Sequence, residues 1–144
     1  MKLVLLKKYN KKISDFIFSL KNKDYVRVQS LNKKKINFKH HKYWLKKNLK
    51  KPTNKIYILK KGNKNLGYIR IEKNQSFRIV SWALLKQFQN KGIMTLNLTK
   101  ATSKKNIKYK AIIKKSNFAS IKIATKSGFK KKLNKKNFAY FFKN

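Results

Sequence analysis

Few side chains in this sequence can move a proton. The chain carries three carboxylates, Asp15, Asp24 and Glu72, two histidines, His40 and His41, and no cysteine. Thiolate nucleophiles, disulfides and thiolate metal sites are thereby excluded. Two adjacent histidines and three scattered carboxylates do not assemble a zinc site, so no metal is expected. Near neutral pH the candidates for a general base are Glu72 and His41. Glu72 ends the alternating run "LGYIRIE", and His41 shares an apolar helical stripe with Phe38, Trp44 and Leu45. Each also has a plainer reading: a surface carboxylate beside a lysine, and a half-buried packing histidine. His40 faces away from the stripe, toward solvent.

A second kind of chemistry is suggested by "SWALLKQFQNKGIMTLNL", residues 81 to 98. An apolar run from Trp82 to Leu85 gives way to a polar turn ending in Gly92, after which apolar residues resume at helical spacing. Where a strand runs through a short loop into a helix, the first helical N–H groups lack intrahelical acceptors and carry partial positive charge. Asn90 and Gly92 accept the left-handed dihedrals that let such amides converge on a phosphate, and Lys91 adds a cation. An ordinary strand-to-helix turn, with Gly92 serving only backbone geometry, is the alternative.

These residues need elements to position them. "KKISDFIFSLKN" places Ile13, Phe16, Ile17 and Leu20 at helical spacing, and "INFKHHKYWLKKNLKK" reads as a second helix stopped by Pro52. Three strands follow: Ile56 to Lys60, Leu66 to Glu72 and Phe77 to Leu85, a meander with turns at Gly62 and near Asn74. Then come a helix from Ile93 to about Lys104, a strand in "IKYKAIIKK", a helix in "SNFASIKIATKSG" and a terminal hairpin in which Phe138, Tyr140 and Phe142 alternate. The expected order is α α β β β α β α β β, a mixed α/β fold in one domain over residues 1–144.

Charge is the loudest feature of the composition. There are 41 basic residues against three acidic ones, a formal +38, which draws attention to nucleic acid or an anionic membrane. Only Arg27, Arg70 and Arg78 are arginine, the residue that grips phosphate and guanine bidentately. Compositional drift toward lysine, asparagine and isoleucine therefore outranks selection for nucleic acid. At 41% hydrophobic residues the chain can bury a core. The apolar stretch Leu3 to Leu6 is too short for a signal-peptide core and no run approaches membrane-spanning length, so a cytoplasmic location is expected.

Read together, two segments resemble a known family. "IVSWALLKQFQNKGIMTLNLTKA" is similar to the acyl-CoA-binding motif of GCN5-related N-acetyltransferases (GNAT), Gln or Arg, two residues, Gly, one residue, Gly or Ala, at Gln89, Lys91, Gly92 and Ile93. "YKAIIKKSNFASIKIATKSGFKK" resembles the following strand and helix, through Asn117, Ala119, Ser120, Ile121, Lys126, Gly128 and Phe129. "NKDYVRVQSLNKKKINFKHHKYWL" resembles a segment of bacterial amino-sugar acetyltransferases, of the kind that act on a nucleotide-linked amino sugar in pseudaminic acid synthesis.

The resemblance implies a mixed, mostly antiparallel sheet splayed between strands 4 and 5 and flanked by helices. Acetyl-CoA would lie in the cleft as cosubstrate, its pyrophosphate on amides from Gln89 to Met94, its pantetheine near Leu84 and Leu85, with Asn117 alongside. The acceptor, a nucleotide-linked amino sugar, would meet Arg27, His41, Trp44 and Ser81, with Glu72 or His41 as base. Three departures stand out: Asn90 where glycine is common, Met94 where Gly or Ala is usual and a thioether could crowd the pyrophosphate, and Ala124 in place of the tyrosine acid. The competing expectations are a protein N-terminal acetyltransferase of the same fold, a relative that has lost turnover, and a basic nucleic-acid-binding protein.

Overall fold

A computed structural model describes residues 1–144. Its elements are β1 (Lys2–Leu5), α1 (Lys11–Lys21), α2 (Asp24–Arg27), α3 (Phe38–Leu49), β2 (Lys55–Lys61), β3 (Lys64–Asn74), β4 (Phe77–Leu84), a 3-10 turn (Lys86–Phe88), α4 (Ile93–Ala101), β5 (Lys108–Lys114), α5 (Phe118–Lys126), β6 (Lys130–Lys135) and β7 (Phe138–Lys143). One seven-stranded sheet runs β1-β2-β3-β4-β5-β7-β6. Every neighbouring pair is antiparallel except β4 and β5, which are parallel.

The expected elements are present, with three additions, one of them the 3-10 turn before α4. Lys2–Leu5, read from the sequence only as too short for a leader, pairs with β2 as an edge strand. A single helical turn, α2, follows α1. Three of the five α-helices start where a side chain takes an orphan amide: Asn10 caps Ile13, Asn37 caps Lys39 and Asn117 caps Ser120. The first helix of the carboxyl-terminal half ends at Ala101, three residues short of the expected Lys104.

Strand alternation divides the core between the two faces of the sheet. On one face Ile69, Ile71, Val80 and Leu84 pack with Met94, Leu98 and Ala101 of α4 and Ala124 of α5. On the other, Ile56, Ile58, Tyr68 and Ala83 pack with Ile17 and Leu20 of α1 and Leu45 of α3. Each fully buried leucine or isoleucine contributes about 1.5–3 kcal/mol of transfer free energy. The rigid sheet so clamped carries one interruption, between β4 and β5.

Candidate active site

Only Phe77 to Ile79 of β4 pair with Lys108 to Lys110 of β5. Beyond Ile79 the strands part: β4 continues against β3 as far as Leu84, while β5 continues against β7 as far as Lys114. The opening widens toward the carboxyl ends of both strands, which lead into α4 and α5. The N–H of Leu85 donates to Leu66 O at 2.9 Å, and Leu84 lies opposite Gly67. In an antiparallel ladder, residues alternate between pointing their N–H and C=O at one neighbour and at the other. Leu85, Ala83 and Ser81 therefore face β3 with their backbones, while Leu84 and Trp82 face the opening.

This geometry corrects the expectation for Leu85. Its N–H is held by Leu66, and its carbonyl accepts from the N–H of Phe88 at 3.0 Å. The Leu84 carbonyl takes one bond from Gln89 Nε2 at 3.0 Å, which ties the turn back to the strand and leaves the Leu84 N–H aimed into the opening.

At the mouth of the opening stands the amino end of α4. Gly92 occupies its N-cap with φ +74° and no side chain caps the helix. Asn90 is also left-handed, at φ +62°, which confirms that asparagine serves there where glycine is common. The first intrahelical bond is Leu96 N–H to Gly92 O. None of the N–H groups from Asn90 to Thr95 finds an acceptor in the chain, whereas the Gln89 N–H donates to Lys86 O. The free amides thus begin one residue later than expected. The Met94 side chain turns inward, 2% exposed, into the core with Leu98 and Ala101, so the thioether does not crowd these amides. Such a row of unpaired amides at a helix start can receive an anion.

On the opposite face of the sheet, beside the start of the opening, a polar cluster gathers. Arg70 and Ser81 lie opposite each other on β3 and β4, and Arg70 Nε donates to Ser81 Oγ at 2.6 Å. Glu72 Oε1 lies 3.6 Å from the same Nε, and Glu72 stands opposite Ile79, where the β4–β5 pairing ends. The Arg70 guanidinium sits 5.2 Å from the Trp44 ring centre and Lys21 Nζ 3.9 Å from it. Burial, then the Arg70 charge, brings the Lys21 ammonium down to about 7, with Glu72 opposing. Trp44, Ser81 and Glu72, chosen from the sequence, are brought together here. Lys21 and Arg70 were not foreseen.

The remaining expected residues are placed elsewhere. His41 is 1% exposed; its Nε2 lies 3.0 Å from the Ser14 carbonyl and 3.2 Å from Ser14 Oγ, and its ring packs against Phe18 and Trp44. Burial and the nearby Lys21 charge push its pKa down to about 4. A sealed ring cannot exchange protons with a substrate, so His41 is a packing residue, not a base or a substrate contact. Arg27 is likewise committed: its guanidinium donates to Asn22 O, Lys33 O and Asp24, fixing the segment after α1, and is not free for a nucleotide. Asn117 caps α5 by accepting from the Ser120 N–H at 3.2 Å. Ala124 is fully buried; it offers no proton donor.

Among other concavities, one of about 470 Å³ is lined by Lys105, Asn106, Ile107, Lys108 and Asn144, at the closed end of the β4–β5 pair. No carboxylate, histidine or hydroxyl side chain lines it. No group of histidines or carboxylates capable of holding a metal occurs, and no helix is long and apolar enough to cross a membrane.

The acetyltransferase (GNAT) family model matches residues 15–129. The chain belongs to the GNAT family and is an acetyl-CoA-dependent N-acetyltransferase, with acetyl-CoA as cosubstrate. A search of curated proteins by sequence finds no match. Among solved structures it is similar to the ribosomal L7/L12 alpha-N-protein acetyltransferase RimL in complex with coenzyme A, with TM-score 0.82, 15% identity, and coverage of 99% of this chain and 94% of that one. It is also similar to spermidine N-acetyltransferase from Vibrio cholerae in complex with CoA and spermine, with TM-score 0.78, 13% identity and coverage of 97% and 92%. For Campylobacter jejuni PseH in complex with acetyl coenzyme A the values are 0.70, 18%, 98% and 96%.

Proposed function

We propose that acetyl-CoA lies in the β4–β5 opening and that the acceptor is the primary amine of a nucleotide-linked amino sugar, bound on the α1/α3 face of the sheet. The observation that carries the first part is the opening itself, with six unpaired amides from Asn90 to Thr95 at its mouth and parting strands behind it. The diphosphate takes those amides, and the pantetheine runs along β4, meeting the backbone of Leu84 and Trp82. The thioester supplies an activated acyl group. The amine must reach it uncharged, and holding the two in contact supplies much of the rate.

Glu72, at the vertex of the opening, accepts the amine's proton directly or through one water. The amine nitrogen bonds to the acyl carbon, the C–S bond breaks, and the thiolate takes its proton from solvent, since Ala124 provides none. The amino-sugar part is supported by the likeness of the Asn22–Trp44 segment to amino-sugar acetyltransferases and by Trp44 and Ser81, both in contact with Arg70 beside the opening. Calorimetric titration of acetyl-CoA tests the first part, with low-micromolar affinity expected; no heat at high micromolar ligand would sink it. Acetylation of UDP-linked amino sugars in preference to peptides tests the second, and the reverse preference would replace it with a protein acceptor.

A further inference from the structure

The three carboxylates of the chain are all engaged with cations. Asp15 bonds Lys11, Asp24 bonds Arg27, and Glu72 lies against Arg70. Of these only Glu72 lies beside the opening, and one carboxylate does not match the several ammonium groups of a polyamine or an aminoglycoside. The cations beside the opening are the reverse case. Lys21 makes no hydrogen bond and no ion pair while half-buried on Trp44. Arg70 uses only its Nε, on Ser81 and Glu72, so the four N–H groups of its two terminal nitrogens have no partner in the chain. Its side chain is 31% exposed, so those donors are within reach of a ligand. A planar fork and a compact ammonium converging on one indole make a phosphate-binding arrangement.

Resting on the acetyl-transfer reading above, we infer that Lys21 and Arg70, braced on Trp44, form a subsite for a phosphate ester of the acceptor, and that this subsite, not Arg27, selects an anionic amine over a polycationic one. Lys21 is faced by Arg70 and Glu72 from β3 and by His41 and Trp44 from α3. Arg70 opposes its charge, and a bound phosphate relieves that opposition, so binding above neutral pH takes up a proton.

The test is calorimetric titration of UDP, glucosamine 6-phosphate and spermidine into protein saturated with CoA, at pH 8 in buffers of differing ionisation enthalpy. UDP is expected to bind with proton uptake. K21M should weaken it about tenfold or more, K21R should restore most of the affinity, and K131M, on the far edge strand, should change nothing. Tighter binding of UDP than of glucosamine 6-phosphate identifies a nucleotide diphosphate, and equal binding identifies a simple phosphate ester; either supports the subsite. UDP binding equally to wild type and K21M, or spermidine binding as tightly as UDP, overturns it. Removing a half-buried, unpaired charge should leave the melting temperature of K21M at or above that of wild type. If CoA itself gives no heat, the acetyl-transfer reading fails separately, and the same Lys21 comparison on the free protein still decides the subsite.

Discussion

Gly92 and Gly62 both have left-handed backbones, at φ +74° and +60°, and a Cβ built on either meets no atom within 4 Å. Replacing either with alanine therefore costs backbone strain of about 1–2 kcal/mol without a clash. For a chain of 144 residues that is a fall in melting temperature of about 3–6 °C. The two sites differ in what the new methyl faces. At Gly62 it projects from the β2–β3 turn into solvent. At Gly92 it stands beside the unpaired amides of α4, where it lifts a diphosphate off them. Losing one charge-assisted hydrogen bond, about 1.5–3 kcal/mol, weakens acetyl-CoA binding roughly 10- to 100-fold. Thermal melts and acetyl-CoA titrations of G62A and G92A separate the effects: both variants lose stability, and only G92A loses affinity. Unchanged acetyl-CoA affinity in G92A would refute the assignment of these amides to the diphosphate.

Replacing Glu72 with glutamine should lower the acetylation rate by about 10²-fold or more with acetyl-CoA affinity intact; an unchanged rate would show that another group takes the proton. Because His41 is held at about 4 against 6.5 when unfolded, its neutral form is favoured by folding. Stability is full above 6.5 and falls between 6.5 and 4, by up to about 1.4 kcal/mol per pH unit, and His41→Phe flattens that slope in denaturant titrations. Asn117→Ala should cost about 1 kcal/mol through loss of the α5 cap, seen as a lower melting temperature; lost acetyl-CoA affinity with unchanged stability would instead make Asn117 a cofactor contact.

The elements that bury an apolar stripe, such as α1 through Ile17 and Leu20 or β3 through Ile69 and Ile71, were legible because burial imposes period 3.6 or 2 on the sequence. The four residues of β1 were not, since a short edge strand flanked by lysines offers too few alternations to read. The left-handed turn before α4 was legible because unusual dihedrals demand unusual residues, here Asn90 and Gly92. His41 and Arg27 were misassigned for one reason: residue type names a chemistry, but the tertiary partner decides whether the group is free to perform it. Ser14 and the rings of Phe18 and Trp44 seal His41, and Asp24 with two carbonyls holds Arg27. Arg70 could have been singled out as one of three arginines in a lysine-dominated chain. Lys21 could not, because only its packing on Trp44 and beside Arg70 distinguishes it from the other lysines.

The most direct test of the central claim is a crystal structure of the protein with acetyl-CoA. The expected result is a diphosphate within hydrogen-bond distance of amides between Asn90 and Thr95, pantetheine along Trp82 and Leu84, and the acetyl group emerging beside Ser81 and Glu72. A ligand lying on surface lysines, with the β4–β5 opening closed or filled by protein side chains, would contradict it.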